Sequence, residues 1–139
     1  MAVWTGSEMI IWGGTRDSNG IVLLNNGGRY NPAGDSWVAM NSTGAPAGRL
    51  SCTAVWTGSE MIIWGGNDNR SSLNNGGRYN AALNSWTTIS RAGAPSTRSF
   101  HTAVWTGTEM VVFGVRGRRN PCPDMESWVG AGRLFRPAF

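Results

Sequence analysis

The sequence AVWTGSEMIIWGG stands at residues 2–14 and returns unchanged at residues 54–66. A third copy, AVWTGTEMVVFG at residues 103–114, differs only by exchanges of similar residues. The copies are regularly spaced, with 52 residues from Trp4 to Trp56 and 49 from Trp37 to Trp86. Periods near 50 residues are typical of propeller blades and are too long for ankyrin, leucine-rich or TPR units. The chain is therefore predicted to be a repeat array.

The middle repeat is predicted to contain four strands, A to D. The segments CTAVWT (52–57) and EMIIWG (60–65) are rich in β-branched and aromatic residues and are joined by a Gly-Ser turn, which indicates a hairpin. After a polar loop, GGRYN (76–80) and SWTTIS (85–90) supply strands C and D across a short turn. Each repeat is thus expected to be a four-stranded antiparallel meander.

Strand B of the middle repeat is apolar at four consecutive positions, Met61 to Trp64, and does not alternate apolar with polar residues. Both of its faces must then be covered. Radial stacking of equivalent sheets in a propeller covers both faces, whereas a β-sandwich tends to leave one face of each sheet exposed to solvent. A propeller is therefore favoured over a sandwich, and over a β-helix, whose repeats are much shorter.

An ordered set of markers recurs in these repeats: a double glycine that closes strand B, a tyrosine on strand C and a tryptophan that opens strand D. The set comprises Gly13, Gly14, Tyr30 and Trp37, then Gly65, Gly66, Tyr79 and Trp86, with Gly114 and Trp128 in the third repeat. Glycine permits positive φ and close backbone approach, while Tyr and Trp supply large packing surfaces with one polar atom each.

This marker set resembles the bacterial form of the kelch repeat over nearly the whole chain. The resemblance implies β-propeller blades, with strand A nearest the central channel and strand D at the rim. The predicted class is all-β, a kelch-type propeller fragment of about three four-stranded antiparallel blades, whose ring this chain alone does not close. The predicted blades span residues 1–47, 48–96 and, in shortened form, 97–131, with the start of a further strand at 132–139.

The third repeat departs from the pattern. Val115 replaces the second glycine, and Gly117 follows without the usual loop, although GRRNPCPDMESWV (117–129) still matches residues 28–38. Closed propellers usually have four to eight blades. Fewer than three complete blades would leave apolar blade faces open to water, and such patches mark interaction sites. We therefore expect either a fragment of a larger propeller or closure by association with other chains.

Composition limits the partners. The net charge of +4 comes from arginine alone, and residues 115–139 carry five Arg against two acids. These few arginines lack the interleaved aromatics of a nucleic-acid platform, so a solvated surface is expected. No apolar run reaches the length of a membrane span, and the N-terminal residues do not resemble a signal peptide. The expected partners exclude nucleic acid and membranes.

Cysteine and histidine offer little chemistry. Cys52 and Cys122 stand at non-equivalent places in the repeat, and with no CxxC pair a zinc site lacks ligands. His101 is the single histidine. General acid–base catalysis would need a second group with a shifted pKa nearby, and no residue at a characteristic spacing from His101 suggests one. No catalytic motif, cofactor or metal site is predicted, and no cellular compartment is assigned.

Three arginines, Arg49, Arg98 and Arg133, precede successive A strands and are a candidate anion-binding rim near the channel mouth. The alternative is a structural role, because a residue repeated in every blade can serve the blade by bonding carbonyls or a repeated acid such as Glu60 or Glu109. The same alternative applies to the repeated Arg29, Arg78 and Arg118.

The loops differ most between the repeats, and function on repeat scaffolds usually lies in variable loops. Asp17, Asn19, Asp68 and Asn69 carry oxygen atoms that a cation could contact, but Asp and Asn also simply form turns, and the spacing of a calcium loop is missing. A structural role is expected for these four residues.

The predicted function is a non-catalytic kelch-type scaffold that binds a protein or a glycan through its inter-strand loops. The alternatives are the scaffold part of a carbohydrate-active enzyme, with a galactose oxidase-like or sialic acid epimerase-like parent, and a remnant without function. Galactose oxidase-like copper would need two Tyr, two His and a Cys cross-linked to Tyr, whereas this chain has one His and two Tyr in repeated structural places.

Overall fold

The computed structural model describes residues 1–19 and 21–114 and the backbone of residues 133–135. This part of the chain forms three antiparallel sheets. The first contains β1 (Ala2–Trp4), β2 (Met9–Trp12), β3 (Gly27–Asn31) and β4 (Ser36–Ala39), and the second contains β5 (Thr53–Trp56), β6 (Glu60–Trp64), β7 (Gly76–Asn80) and β8 (Ser85–Thr88). The third contains β9 (His101–Trp105), β10 (Met110–Gly114) and β11 (Arg133–Phe135).

Both four-stranded sheets are meanders in which strands pair in chain order. Their registers are equivalent: Tyr30 lies opposite Trp37 in the first sheet, and Tyr79 lies opposite Trp86 in the second. The Gly58-Ser59 turn is closed by a hydrogen bond from Thr57 N to Glu60 O of 2.9 Å. The predicted four-stranded blades are confirmed for the first two repeats.

The third sheet has the order β11-β10-β9 in the described residues. Strand β11 pairs with β10 on the edge that β3 and β7 occupy beside β2 and β6 in the other sheets. Residues from the predicted further strand at 132–139 therefore contribute to the third sheet. The shortened part of the third repeat, with Trp128, lies outside the described residues.

Two apolar clusters hold the sheets together. The first joins Ile10 and Trp12 of the first blade to Met61, Ile63, Tyr79 and Trp86 of the second, with Met40 and Cys52. The second joins Val55, Ile62 and Trp64 of the second blade to Met110 and Val112 of the third, with Ile89.

Strand β6 therefore lies between two blades, and four of its five residues, Met61 to Trp64, are fully buried. Successive side chains of a strand point to opposite faces. Met61 and Ile63 accordingly join the first cluster, while Ile62 and Trp64 join the second. The expectation that both faces of this strand are covered is confirmed, and the open ring of stacked sheets is that of a partial propeller.

Candidate binding surface

One end of the blades carries the long loops that differ most between the repeats. Because neighbouring strands of a meander run in opposite directions, the loops from strand B to strand C and the links from strand D to the next strand A leave the sheets at the same end. This end is called the loop face. In the described residues it comprises the B–C loops, residues 13–19 with 21–26 and residues 65–75, and the D–A links, residues 40–52 and 89–100.

Backbone hydrogen bonds join these segments to one another. Leu50 and Asn67 exchange two hydrogen bonds, of 2.9 and 2.8 Å, between a D–A link and the second B–C loop. On the other side of that loop, Arg98 N donates to Leu73 O at 3.0 Å. The second B–C loop is thus tied to the links on both sides, so the loop face is a braced surface.

Acidic side chains shape the two B–C loops. The Asp17 carboxylate accepts hydrogen bonds from the amides of Ile21 and Val22, at 2.8 and 2.9 Å. Asp68 Oδ1 accepts from the amides of Arg70 and Ser71 at 3.0 and 2.8 Å. The amides of Ser71 and Arg70 hold the pKa of Asp68 below its usual value. Both carboxylates therefore stabilise loop conformation.

These carboxylates belong to the residues weighed as cation ligands. Asn69 lies in the second loop, where its Nδ2 donates to Ile21 O of the first loop at 3.3 Å, while Asn19 lies in the first loop. Within residues 1–19 and 21–114 no group of three His, Cys, Asp or Glu side chains could hold a metal ion.

Three exposed apolar side chains lie on the segments of the loop face. Ile21 is 70% exposed, Val22 is 43% exposed and Phe100 is 76% exposed. A shallow groove lies between the first two B–C loops and the intervening link, and it is lined by Ile21, Leu23, Ala47, Gly48, Asp68, Asn69 and Arg70. A groove lined by apolar residues together with polar and charged ones has the composition of a protein-binding surface.

Phe100 also has an uncommon backbone conformation. Its φ is +57°, and the equivalent Ser51 has a φ of +52°. A hydrogen bond of 3.0 Å from Phe100 N to Ser51 O joins the two residues. A bulky residue in the left-handed region is a genuine outlier and costs about 1–3 kcal/mol, and such residues cluster at binding sites. The strained backbone thus presents a large ring to solvent.

Ile21, Val22 and Phe100 were not predicted as binding residues from the sequence. A signal was available in the repeat, because Phe100 replaces the polar Ser51 and the second loop, NDNRSSLNN, has no isoleucine or valine. Apolar residues that replace polar ones in a loop are the pattern that marks this surface.

Arg49 and Arg98 do not extend from the loop face into solvent. Their exposed fractions are 3% and 8%. Arg49 Nη1 donates to Gly65 O and Asn75 O, both at 2.9 Å, and Arg98 Nη1 donates to Gly114 O at 3.4 Å. Each guanidinium therefore bonds the carbonyl of the glycine that ends strand B of its blade. This geometry favours the structural role over an anion-binding rim.

Other members of the arginine set fit the same interpretation. Arg29 lies 3.7 Å from Glu8 and Arg78 lies 3.5 Å from Glu60, each pair joining strands B and C of one blade. Arg29 Nη1 also donates to Ala81 O in the second blade. Arg133 contributes its backbone to β11, and Arg118 lies outside the described residues.

His101 is buried between the second and third blades. Its Nε2 lies 2.8 Å from Thr53 Oγ1, and its ring packs edge-on against Trp64 with 5.2 Å between centroids. Burial, with a smaller contribution from the charge of Arg98, lowers the pKa of His101 to about 4. The imidazole is therefore neutral near pH 7 and acts as a packing group.

The marker residues occupy the positions that their chemistry suggests. Gly13, Gly14, Gly65, Gly66 and Gly114 all have positive φ, between +68° and +114°. The tyrosine hydroxyls donate within their own blades, Tyr30 to Asp35 at 2.8 Å and Tyr79 to Asn84 at 2.7 Å. Trp86 Nε1 donates to Asn41 O of the first blade at 2.9 Å.

Two sequence expectations concern cysteine and the membrane. Cys52 is a buried free thiol whose pKa is raised by burial, and Cys122 lies outside the described residues. In the described part of the chain, no helix is long and apolar enough to cross a bilayer.

Stacked four-stranded meanders with these markers define the class as a repeat protein of β-propeller type. A family model described as the KLHDC2/KLHL20/DRC7 Kelch-repeats domain matches residues 1–129. The chain belongs to the kelch-repeat family, whose domains are in general protein-binding scaffolds. A search of curated proteins found no match.

Proposed function

We propose that this chain is a non-catalytic binding module whose protein partner docks on the loop face. The observation that carries the proposal is the exposure of Ile21, Val22 and Phe100 at the end of the blades where the loops vary. Burying such side chains against a partner supplies about 25 cal/mol per Å² of apolar area. Membership of a family of binding scaffolds supports the same conclusion.

The braced loops suit this task. Residues held in place before binding lose less conformational entropy when a partner docks. The hydrogen bonds that loop amides donate to Asp17 and Asp68, and the backbone bonds that join Leu50 to Asn67, supply this order in the free protein. The groove beside Ile21 would receive a side chain of the partner, with Asp68 and Arg70 at its margin.

The alternatives receive less support from the described residues. The Tyr30 and Tyr79 hydroxyls, which a galactose oxidase-like copper site would require, bond to Asp35 and Asn84 inside their blades. A glycan partner would use the ring of Phe100 as a stacking surface, but the aliphatic Ile21 and Val22 favour a protein.

The test begins with peptides selected from a displayed random library against the immobilised chain, whose affinities are then measured by fluorescence anisotropy. We expect Phe100→Asp and Ile21→Asp each to weaken binding by about tenfold or more. The matched control is Leu83→Asp, because Leu83 is 74% exposed but lies in the C–D turn at the opposite end of the blade.

Peptides that bind all three variants equally well would contradict the proposal. A glycan array probed with the same protein distinguishes the second partner class. Strong glycan binding that depends on Phe100, without peptide binding, would replace the protein partner by a sugar.

A further inference from the structure

The outer side of the first blade has the composition of a blade interface. This side, called the leading face, carries Trp4, Met9, Ile11, Tyr30 and Trp37. The repeat matches these residues with Trp56, Met61, Ile63, Tyr79 and Trp86 of the second blade, all of which belong to the cluster against the first blade or pack on it.

Exposure separates the two equivalent faces. Trp37 is 57% exposed, whereas its counterpart Trp86 is 9% exposed. The ring centroid of Trp86 lies 5.7 Å from that of Trp12 in the neighbouring blade. Trp4 is 55% exposed, whereas its counterpart Trp56 packs on the first cluster. The leading face thus presents the residues of a blade interface, and no blade within the described residues packs against it.

The far side of the third blade is the complementary surface. It carries Val104 and Val111 and is called the trailing face. Their counterparts in the second blade, Val55 and Ile62, are 7% and 0% exposed and pack against the third blade. Val104, in contrast, is 57% exposed.

Each contact between the blades joins a trailing face to the leading face of the next blade. The same contact can therefore form between the trailing face of one chain and the leading face of another. Such head-to-tail contacts either close into a ring or extend into a filament. Closed propellers have about four to eight blades. The described residues of one chain form three sheets, and this number reaches the range when doubled, to six, but exceeds it when tripled, to nine.

We propose that two copies of this chain close a six-bladed ring, in which the trailing face of each copy packs on the leading face of the other. The occupant of the open faces is a second copy because the repeat supplies both halves of the contact, and both halves are seen joined twice within one chain. Each seam would continue the stacking that already joins the first blade to the second and the second to the third.

Sedimentation velocity and light scattering of the purified chain test this proposal. We expect a discrete species of twice 14.9 kDa. Trp4→Arg alters only the leading face and Val104→Glu only the trailing face, and each should raise the dissociation constant of the dimer by about tenfold or more. Leu83→Arg, on an exposed turn away from both faces, should leave the dimer unchanged.

Mixing the two variants provides the decisive measurement. In a mixture of Trp4→Arg and Val104→Glu chains, one seam joins two unaltered faces and the other brings Arg opposite Glu. We therefore expect a mixed dimer to form at concentrations where either variant alone is monomeric. A symmetric contact between two leading faces would respond to Trp4→Arg but would be unaffected by Val104→Glu.

Three outcomes would overturn the proposal: a monomer at about 100 μM, far above the micromolar range of a weak specific complex; an open polymer; and a dimer insensitive to Val104→Glu. A monomer would assign the open faces to other blades, as in a longer chain. Circular dichroism confirms that each variant is folded. The peptide-binding test uses the loop face, so the two proposals can fail separately.

Discussion

The double glycine at the end of strand B gives a matched pair of substitutions. Gly66 has a φ of +95°, and a Cβ placed there would lie 2.6 Å from Leu50 O and 2.8 Å from Cys52 Cβ. Gly14 occupies the same place in the first blade with a φ of +114°, and a Cβ there would have no heavy atom within 4 Å. Alanine at these two positions therefore separates backbone strain from close packing.

The expected magnitudes follow from these distances. A positive φ costs an alanine about 1–3 kcal/mol at either position. The lower entropy of the unfolded chain offsets part of this cost, by about 0.4–1 kcal/mol, equally in both variants. Only Gly66→Ala also forces the backbone of the neighbouring link to move, which costs about 1–3 kcal/mol more. Gly66→Ala should therefore be less stable than Gly14→Ala by this last amount.

Urea unfolding followed by tryptophan fluorescence measures the difference. Both variants are compared at one protein concentration, since association would shift apparent stability, and the slopes should match those of the parent chain. Equal free energies of unfolding for the two variants would refute the argument, because they would show that φ alone requires glycine here. A larger loss in Gly14→Ala would refute it as well.

Three further substitutions test the interior. Trp86→Ala removes the ring contact with Trp12 and should lower the free energy of unfolding by about 3–5 kcal/mol in urea. Arg49→Met removes the donor from Gly65 O, whereas Asn75 O keeps a hydrogen bond from Gly65 N, so the substitution should cost about 1–3 kcal/mol in the same assay; an anion-binding rim predicts little loss. The pKa of His101 is about 4 in the folded protein and 6.5 in the unfolded chain, so the unfolded chain binds the proton at a higher pH. The free energy of unfolding is therefore highest above pH 6.5 and falls as the pH is lowered to 4. Unfolding at several pH values should show a loss about 3 kcal/mol larger in the parent chain than in His101→Gln, and equal losses would contradict the buried neutral imidazole.

The strands could be predicted from the sequence because their signals are local. The apolar run of Met61 to Trp64, the Gly-Ser turn and the double glycines specify strands and turns through neighbours a few residues away. The sequence repeat then predicted the stacking of the sheets, because a strand that is apolar on both faces requires a neighbouring sheet on each side. The structure confirms this reasoning where blades are stacked on both sides, at β6.

The candidate binding surface could be predicted only as a region. The variable loops were identified, but the direction of a side chain depends on backbone angles that composition does not show. Arg49 and Phe100 illustrate this limit: the charged residue turns inward to carbonyls, while the aromatic residue is held at positive φ and faces water. Hydropathy alone would have assigned the two residues the other way round.

Burial in a repeat protein is a property of position in the array rather than of the residues. Segments 2–14 and 54–66 are identical in sequence, and both form the same pair of strands, yet Met9 and Ile11 are half-buried where Met61 and Ile63 are fully buried. Since each repeat contacts only its neighbours, the stability of such a chain is the sum of repeat and interface contributions. Within the part of the chain that the structure describes, the outer faces of the first and third blades have no such interface contribution. An added neighbour therefore stabilises this fold most at its two open faces, whether it is a second copy or another blade.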